Sequence, residues 1–324
     1  MTPRAWAALA AVYVIWGSTY LGIKVAGDTI PAFSAVSARF ILAGALMAAI
    51  VAWRQGRHAL RITRRELACA ALIGLLLPGA NGLLFVSERT VPTGVASLII
   101  ASVPLLVVLL RLAGGERPPR LAIVGVLVGF VGVAILFRPE GGATWWGIAL
   151  TAVSAVAWAT GSYLSSRIPL PRDAFVATTF EMLAGGLIFL PIGIAQRPDL
   201  GAVSGTSLLA FAYLVLIGSL IGFTAYVWLL HHAPLGTVAT YAYVNPPVAL
   251  VVGWWLGNES FSPNVLIGLP IVLGAVGLLG WVQYRASAAR GDNFNTRYIS
   301  SSCREPDPPD NGERSLRSSH AQRR

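Results

Sequence analysis

The stretch Val12–Gly44, VYVIWGSTYLGIKVAGDTIPAFSAVSARFILAG, is written into this chain twice, the second time with changes. Trp16, Arg39 and Gly44 return as Trp158, Glu181 and Gly186, each 142 positions later. The register continues downstream, where Pro92, Gly94 and Pro104 match Pro234, Gly236 and Pro246. One half of the chain therefore repeats the other. The conspicuous change is chemical: an arginine inside an apolar segment becomes a glutamate.

Composition sets the medium. The chain has 324 residues, 55% hydrophobic and 12% charged, with a mean hydropathy of +0.67. Soluble domains carry about 25% charged residues, so this is the composition of an integral membrane protein. The apolar runs are about 20 residues long, enough for helices to cross a hydrocarbon core of roughly 30 Å. None shows the alternation of an outer-membrane barrel. The net charge of +10 does not indicate nucleic-acid binding, because the arginines lie between the apolar runs, as positive-inside topology requires. Cys69 and Cys303 offer neither a disulfide framework nor a zinc spacing. No metal-ligand cluster, cofactor motif or catalytic motif is present, and His231-His232 lacks a third ligand. The basic, apolar N-terminus continues to about Ala26 with no obvious cleavage site, so it reads as an uncleaved first span.

Ten spans follow: roughly 5–26, 32–53, 66–87, 93–112, 120–137, 145–166, 174–195, 207–230, 236–256 and 264–284. The expected fold is all-α and integral to the membrane, with one five-helix repeat in 1–142 and another in 143–284. The tail, 285–324, is rich in Ser, Arg, Asp and Pro and reads as disordered and cytoplasmic. Arginines crowd the loops after spans 2, 4 and 6, which puts both termini in the cytoplasm. Five spans is an odd number, so the second repeat must cross the bilayer in the opposite sense to the first. Inverted repeats of this kind serve alternating access; duplication kept only for packing is the other reading.

The candidate site residues are the polar groups inside spans. A charge there costs at least ~2.5–3.5 kcal/mol on insertion scales and usually faces a cavity or a partner. Arg39 lies seven residues into span 2 from outside, and Glu181 seven residues into span 7 from inside. At 1.5 Å per residue they differ in height by roughly 10 Å. They are either an ion pair locking the repeats or separate parts of a substrate site. Glu181 is the candidate coupling acid. Glu88, beside Arg89 at the end of span 3, is a candidate gate or proton-access residue, or a simple interfacial pair. Mid-span Trp16 and Trp158, with Tyr20 and Tyr163, either wall a cavity or pack the halves together; the other tryptophans lie near span ends. Asn81, Tyr241 and Asn245, with Thr240 and Tyr243 alongside, offer hydrogen bonds to a polar solute. Ser97 and Ser102 read as interhelical glue. Pro104, Pro246 and Pro247 are expected to break spans 4 and 9. Gly125 and Gly129, Gly218 and Gly222, and Gly253 and Gly257 permit close helix contact.

Trp16-Gly17-Ser18-Thr19-Tyr20, Arg39-Phe40, Glu88, Val91-Pro92-Thr93-Gly94-Val95-Ala96, Glu181-Met182-Leu183-Ala184 and Thr240-Tyr241-Ala242-Tyr243-Val244-Asn245-Pro246 resemble the drug/metabolite transporter superfamily. The match is to its EamA family and the YedA-like subgroup, over about residues 5–284. The resemblance implies ten helices in two inverted repeats and an inner-membrane permease exporting small metabolites or drugs. The chain departs from the pattern at Pro247 and at Asn258, where a glycine is common. The reading is then a secondary transporter without cofactor, possessing a small-molecule substrate and the lipid bilayer as partners. Spans 5 and 10 offer a face for a homodimer. The alternatives are an uncoupled uniporter, an intramembrane enzyme, for which no nucleophile–base set exists, or a sensor subunit signalling through the tail.

Overall fold

The computed structural model describes residues 2–116, 119–136, 143–165, 167–232, 241–259 and 263–289. Residues 285–289, expected to open the disordered tail, instead continue the last helix to Ala289; the rest of the tail, 290–324, lies outside the described residues. The described residues contain helices and no strand. In chain order these are α1 (Pro3–Gly27), α2 (Ala32–Gln55), α3 (Arg64–Ser87), α4 (Thr93–Ile100), α5 (Val103–Ala113), α6 (Arg120–Leu136), α7 (Trp145–Ser165), α8 (Ala174–Ala195), α9 (Gly205–Tyr213), α10 (Gly222–His232), α11 (Tyr241–Gly257) and α12 (Pro263–Ala289). A π-helical segment, Leu214–Ile221, joins α9 to α10 in one continuous rod.

Each expected apolar run is helical where it is described. Seven of the helical stretches are long and apolar enough to cross a membrane, and three further apolar stretches, Arg120–Gly132, Val244–Gly257 and Pro263–Ala275, are shorter. Large apolar side chains such as Leu127, Leu209 and Leu266 stand outward, exposed. That arrangement is stable in hydrocarbon, where every helical backbone group is satisfied within its own segment. The ends are made locally. Thr63 and Glu66 form a reciprocal capping box at the start of α3, and the Asp173 carboxylate accepts from Phe175 and Val176 at the start of α8. Asn258 ends α11 in the left-handed conformation, at φ 51°. Asparagine tolerates it almost as glycine does, which accounts for Asn258 where glycine was expected.

α2 and α8 form the tightest seam, and it is antiparallel. A Cβ on Gly44 would meet Leu183, and one on Gly186 would meet Ile41. Further along, the Ser34 hydroxyl donates to the Gly193 carbonyl at 2.7 Å. Gly44 and Gly186 are repeat mates, and so are Ile41 and Leu183, so the contact is reciprocal. α3 lies on the other flank of α8, with Gly74 against the Glu181 carbonyl and the Gly185 nitrogen. The glycines that close this seam were not those singled out by four-residue spacing.

Two expectations about proline separate here. Span 4 does break: α4 ends at Ile100, Ala101 and Ser102 form a turn, and Pro104 sits in the first turn of α5. Pro246 and Pro247 do not break span 9, because α11 runs through both. The strongest irregularity in the second half is instead the π segment of span 8, which contains no proline. Ser97 and Ser102 are not interhelical glue either. Their hydroxyls donate to Gly94 and Ile99 in their own segments, whereas Ser154 of α7 reaches the Ala80 carbonyl of α3.

Candidate functional site

A cavity of about 160 Å³ lies between the two halves, with lining residues from α1–α5, α7, α8, the π segment, α10 and α11. Trp16, Tyr20, Arg39, Asn81, Trp158, Glu181, Tyr241 and Asn245 all line it, together with Pro104 and Pro246. Residues hundreds of positions apart in the chain thus share one space. Two others do not. Tyr163 lies at the far end of α7, its ring beneath the Arg167 guanidinium at 3.7 Å. Glu88 caps α3, is fully buried and is not part of the lining. Thr240 and the Tyr243 side chain lie outside the described residues.

The chemistry of the cavity rests on Arg39. It is 5% exposed, and among the described residues it makes no ion pair with Glu181. The antiparallel seam explains why. Gly44 faces Leu183 and Ile41 faces Gly186, so Arg39 is level with the helix turn near Ile188. That is seven residues beyond Glu181, or about 10 Å along the axis. Instead, Arg39 Nε donates to Ser219 Oγ at 3.0 Å, and its Nη1 has no partner among the described residues. Asn245 Oδ1 is likewise buried without a donor among them. Asn81 spends one amide proton on the Leu77 carbonyl of its own helix, at 3.1 Å. The cavity therefore presents a guanidinium with a free donor, a free amide acceptor and a separate carboxylate.

The π segment holds the guanidinium in place, and the sequence offered little sign of it beyond Gly218-Ser219. A π turn leaves carbonyls and side chains displaced from the ordinary helical ladder, and such turns recur at functional sites. Here Ser219 takes Arg39, while Trp16 Nε1 donates to the Gly218 carbonyl at 3.3 Å. Trp16 also packs edge-on to Tyr241, with ring centres 5.0 Å apart, and against Tyr226 and Phe223. One wall is thus an aromatic cluster tied to the π segment by the Trp16–Gly218 hydrogen bond. Ser219→Ala leaves the Arg39 Nε proton unpaired, at a cost of about 1.5–3 kcal/mol for a charged donor. The expected outcome is a lower melting temperature, with Ser219→Thr close to wild type. Equal stability of the alanine variant in a thermal melt counts against this role.

Along most of its length the chain is similar to known membrane transporters. The model of the EamA-like transporter family matches the chain twice, at residues 4–138 and 145–281. The inner membrane transporter YedA of Escherichia coli (strain K12) is 36% identical over 282 residues, covering 86% of this chain and 90% of that one. A probable terminal-alkyne amino-acid exporter of Streptantibioticus cattleyicolor is 30% identical over 285 residues, covering 86% and 92%. A solved crystal structure superposes with a TM-score of 0.62 at 20% identity, over 88% of this chain and 99% of that one.

Proposed function

We propose, since the chain belongs to the EamA-like transporter family, that it exports small amino-acid-like metabolites across the inner membrane by alternating access. The family and the named relatives are transporters and not enzymes. The observation that carries the substrate class is the unpaired polarity of the cavity. Arg39 Nη1 and Asn245 Oδ1 are buried without partners, and Glu181 lines the same space. An amino acid supplies what each lacks. Its carboxylate takes charge-assisted hydrogen bonds from Arg39, and its ammonium donates to Glu181 and to the Asn245 carbonyl. The aromatic walls from Trp16, Tyr241 and Trp158 receive the apolar side chain. A relative is named as an amino-acid exporter, which favours the same class.

In this reading the chain crosses the bilayer ten times as two inverted repeats, with both termini cytoplasmic. The reciprocal, antiparallel Gly44–Leu183 and Gly186–Ile41 contacts favour a pseudo-twofold axis in the membrane plane, and the loop arginines favour the orientation. Rocking of the halves about that axis presents the cavity to each side in turn. Glu181 exchanges its proton for the substrate ammonium, which couples export to the proton gradient.

The test is counterflow in proteoliposomes. A zwitterionic amino acid should exchange, while its decarboxylated amine and its amide should not. With a pH gradient imposed, wild type should accumulate substrate and Glu181→Gln should only equilibrate it. Equal gradient-driven rates remove Glu181 as the coupling acid. Substrate should also raise the melting temperature of wild type, but not of Asn245→Ala or Trp16→Ala.

A further inference from the structure

Among the described residues two ion pairs bridge the halves at opposite ends of the molecule, and they occupy corresponding places in the two repeats, within one residue of the 142-position register. Lys24, near the end of α1, donates to Glu259 Oε1 at 2.5 Å. Arg167, just beyond α7, pairs with Glu116, just beyond α5. Lys24 and Arg167 are 143 positions apart, and so are Glu116 and Glu259. In both cases the base ends the first helix of one repeat, and the acid follows the fourth helix of the other. Even the turns that aim the acids correspond. Gly115 and Asn258, again 143 apart, are both left-handed, at φ 82° and 51°. The next backbone nitrogen then turns back onto its own helix: Glu116 N bonds the Arg111 carbonyl, and Glu259 N bonds the Gly253 carbonyl. This is the geometry of a helix C-cap closed by a left-handed residue.

The pairs lie at opposite ends because α7 separates them. Arg89 Nη2 donates to the Gly27 carbonyl at the end of α1, and Thr144, just before α7, bonds Thr90 through backbone and side chain. The start of α7 is therefore level with Lys24. Its 21 residues carry Arg167 about 30 Å away, and the cavity lies between.

We infer that Lys24–Glu259 and Arg167–Glu116 are the two latches of the alternating-access cycle, one closing each mouth of the cavity. The inference rests on the inverted-repeat reading above. Opening toward one face requires the first helix of one repeat to part from the end of the fourth helix of the other, which are the elements each pair ties. The latches are unequal. Glu259 is 11% exposed and Lys24 32%, and Glu259 Oε1 also accepts from the Thr93 nitrogen and hydroxyl at 3.0 and 2.8 Å, capping α4. The buried carboxyl of Glu88 is near enough for the charges of Lys24 and Glu259 to act on it. In the other latch, Glu116 and Arg167 are 35% and 36% exposed, so water screens them more. The Lys24 latch is thus the stronger of the two. The hydrogen bond from Arg111 to Glu116, aided by the charges of Arg111 and Arg167, holds the Glu116 carboxyl below its ordinary range. That contribution is complete above the ordinary carboxylate range and is lost only as pH falls through the lowered value. The Arg167 latch is therefore unchanged between about pH 6 and 8.

The experiment uses full-length protein with Cys69 and Cys303 changed to serine and a single cysteine at Ala101→Cys, in the cavity lining. A membrane-impermeant maleimide is applied to right-side-out and inside-out vesicles. Lys24→Met should raise labelling from the side of the α1 end about fivefold, the bias a partly buried pair can exert, and Glu116→Gln from the other side about twofold. Lys24→Arg should label as wild type, and a single symmetric gel-filtration peak certifies folding of each variant. Exposed reporters Asp28→Cys and Arg172→Cys, beside the two latches, are labelled in parallel. If both react from the same side of the membrane, the inverted-repeat reading fails. If they react from opposite sides while Lys24→Met and Glu116→Gln leave the Ala101→Cys pattern unchanged, or shift it in the same direction, the latch assignment alone is overturned.

Discussion

Arg39→Gln is expected to reduce amino-acid transport by roughly two orders of magnitude without lowering the melting temperature. The two readouts move separately because of what Arg39 does and does not touch. Its only side-chain hydrogen bond among the described residues is to Ser219, its Nη1 is unpaired, and it is almost wholly buried. An unpaired charge in this medium costs stability, so a neutral side chain of similar length relieves the empty protein. In the loaded protein the same change deletes two charge-assisted bonds to the substrate carboxylate, each about 1.5–3 kcal/mol. Transport assays and thermal melts on one preparation check both signs. A structural locking role predicts the reverse, a falling melting temperature.

Gly74→Val is expected to cost about 3 kcal/mol or more, the upper end of the overpacking range, and to abolish transport with it. A Cβ on Gly74 would stand 2.5 Å from the Glu181 carbonyl and 2.7 Å from the Gly185 nitrogen. Both are backbone atoms of α8, so no rotamer change relieves the contact. The helices must move apart, and Glu181, whose own carbonyl is struck, moves with them. Gly274→Ala is the control. Among the described residues nothing lies within 4 Å of its Cβ position, so loss of a helix-interior glycine should be neutral or stabilise by up to ~1 kcal/mol. Comparable melting temperatures for Gly74→Val and wild type would show that the α3–α8 seam can widen freely.

What was legible in the chain and what was not divide along a physical line. Helix positions follow from local hydropathy and length. The repeat follows from identity of residue types at a constant offset. The burden of a charge inside an apolar run is enough to mark Arg39 and Glu181 as residues facing something other than lipid. These depend on one segment at a time, or on comparing one segment with another, and sequence carries both. It also set the height difference between the two charges, because helical rise is constant. Pro246 and Pro247 do not break α11, because the hydrogen bonds a proline removes from a span are tolerated where neighbouring helices support it, and sequence does not place those neighbours. The π segment escaped because its one-residue slip is stabilised by Trp16 and Arg39 reaching in from α1 and α2.

Val12–Gly44 and its echo 142 positions later thus determined the medium, the doubling and the two charges, since apolar length and residue type are properties of the chain. Only the tertiary structure decided that Arg39 answers to Ser219 and not to Glu181, that Tyr163 stands apart from the cavity, and that Lys24 meets Glu259. Those outcomes depend on which helices touch and at what level. An antiparallel seam whose register is set by Gly44 and Gly186 fixes that level through packing, which no single segment encodes.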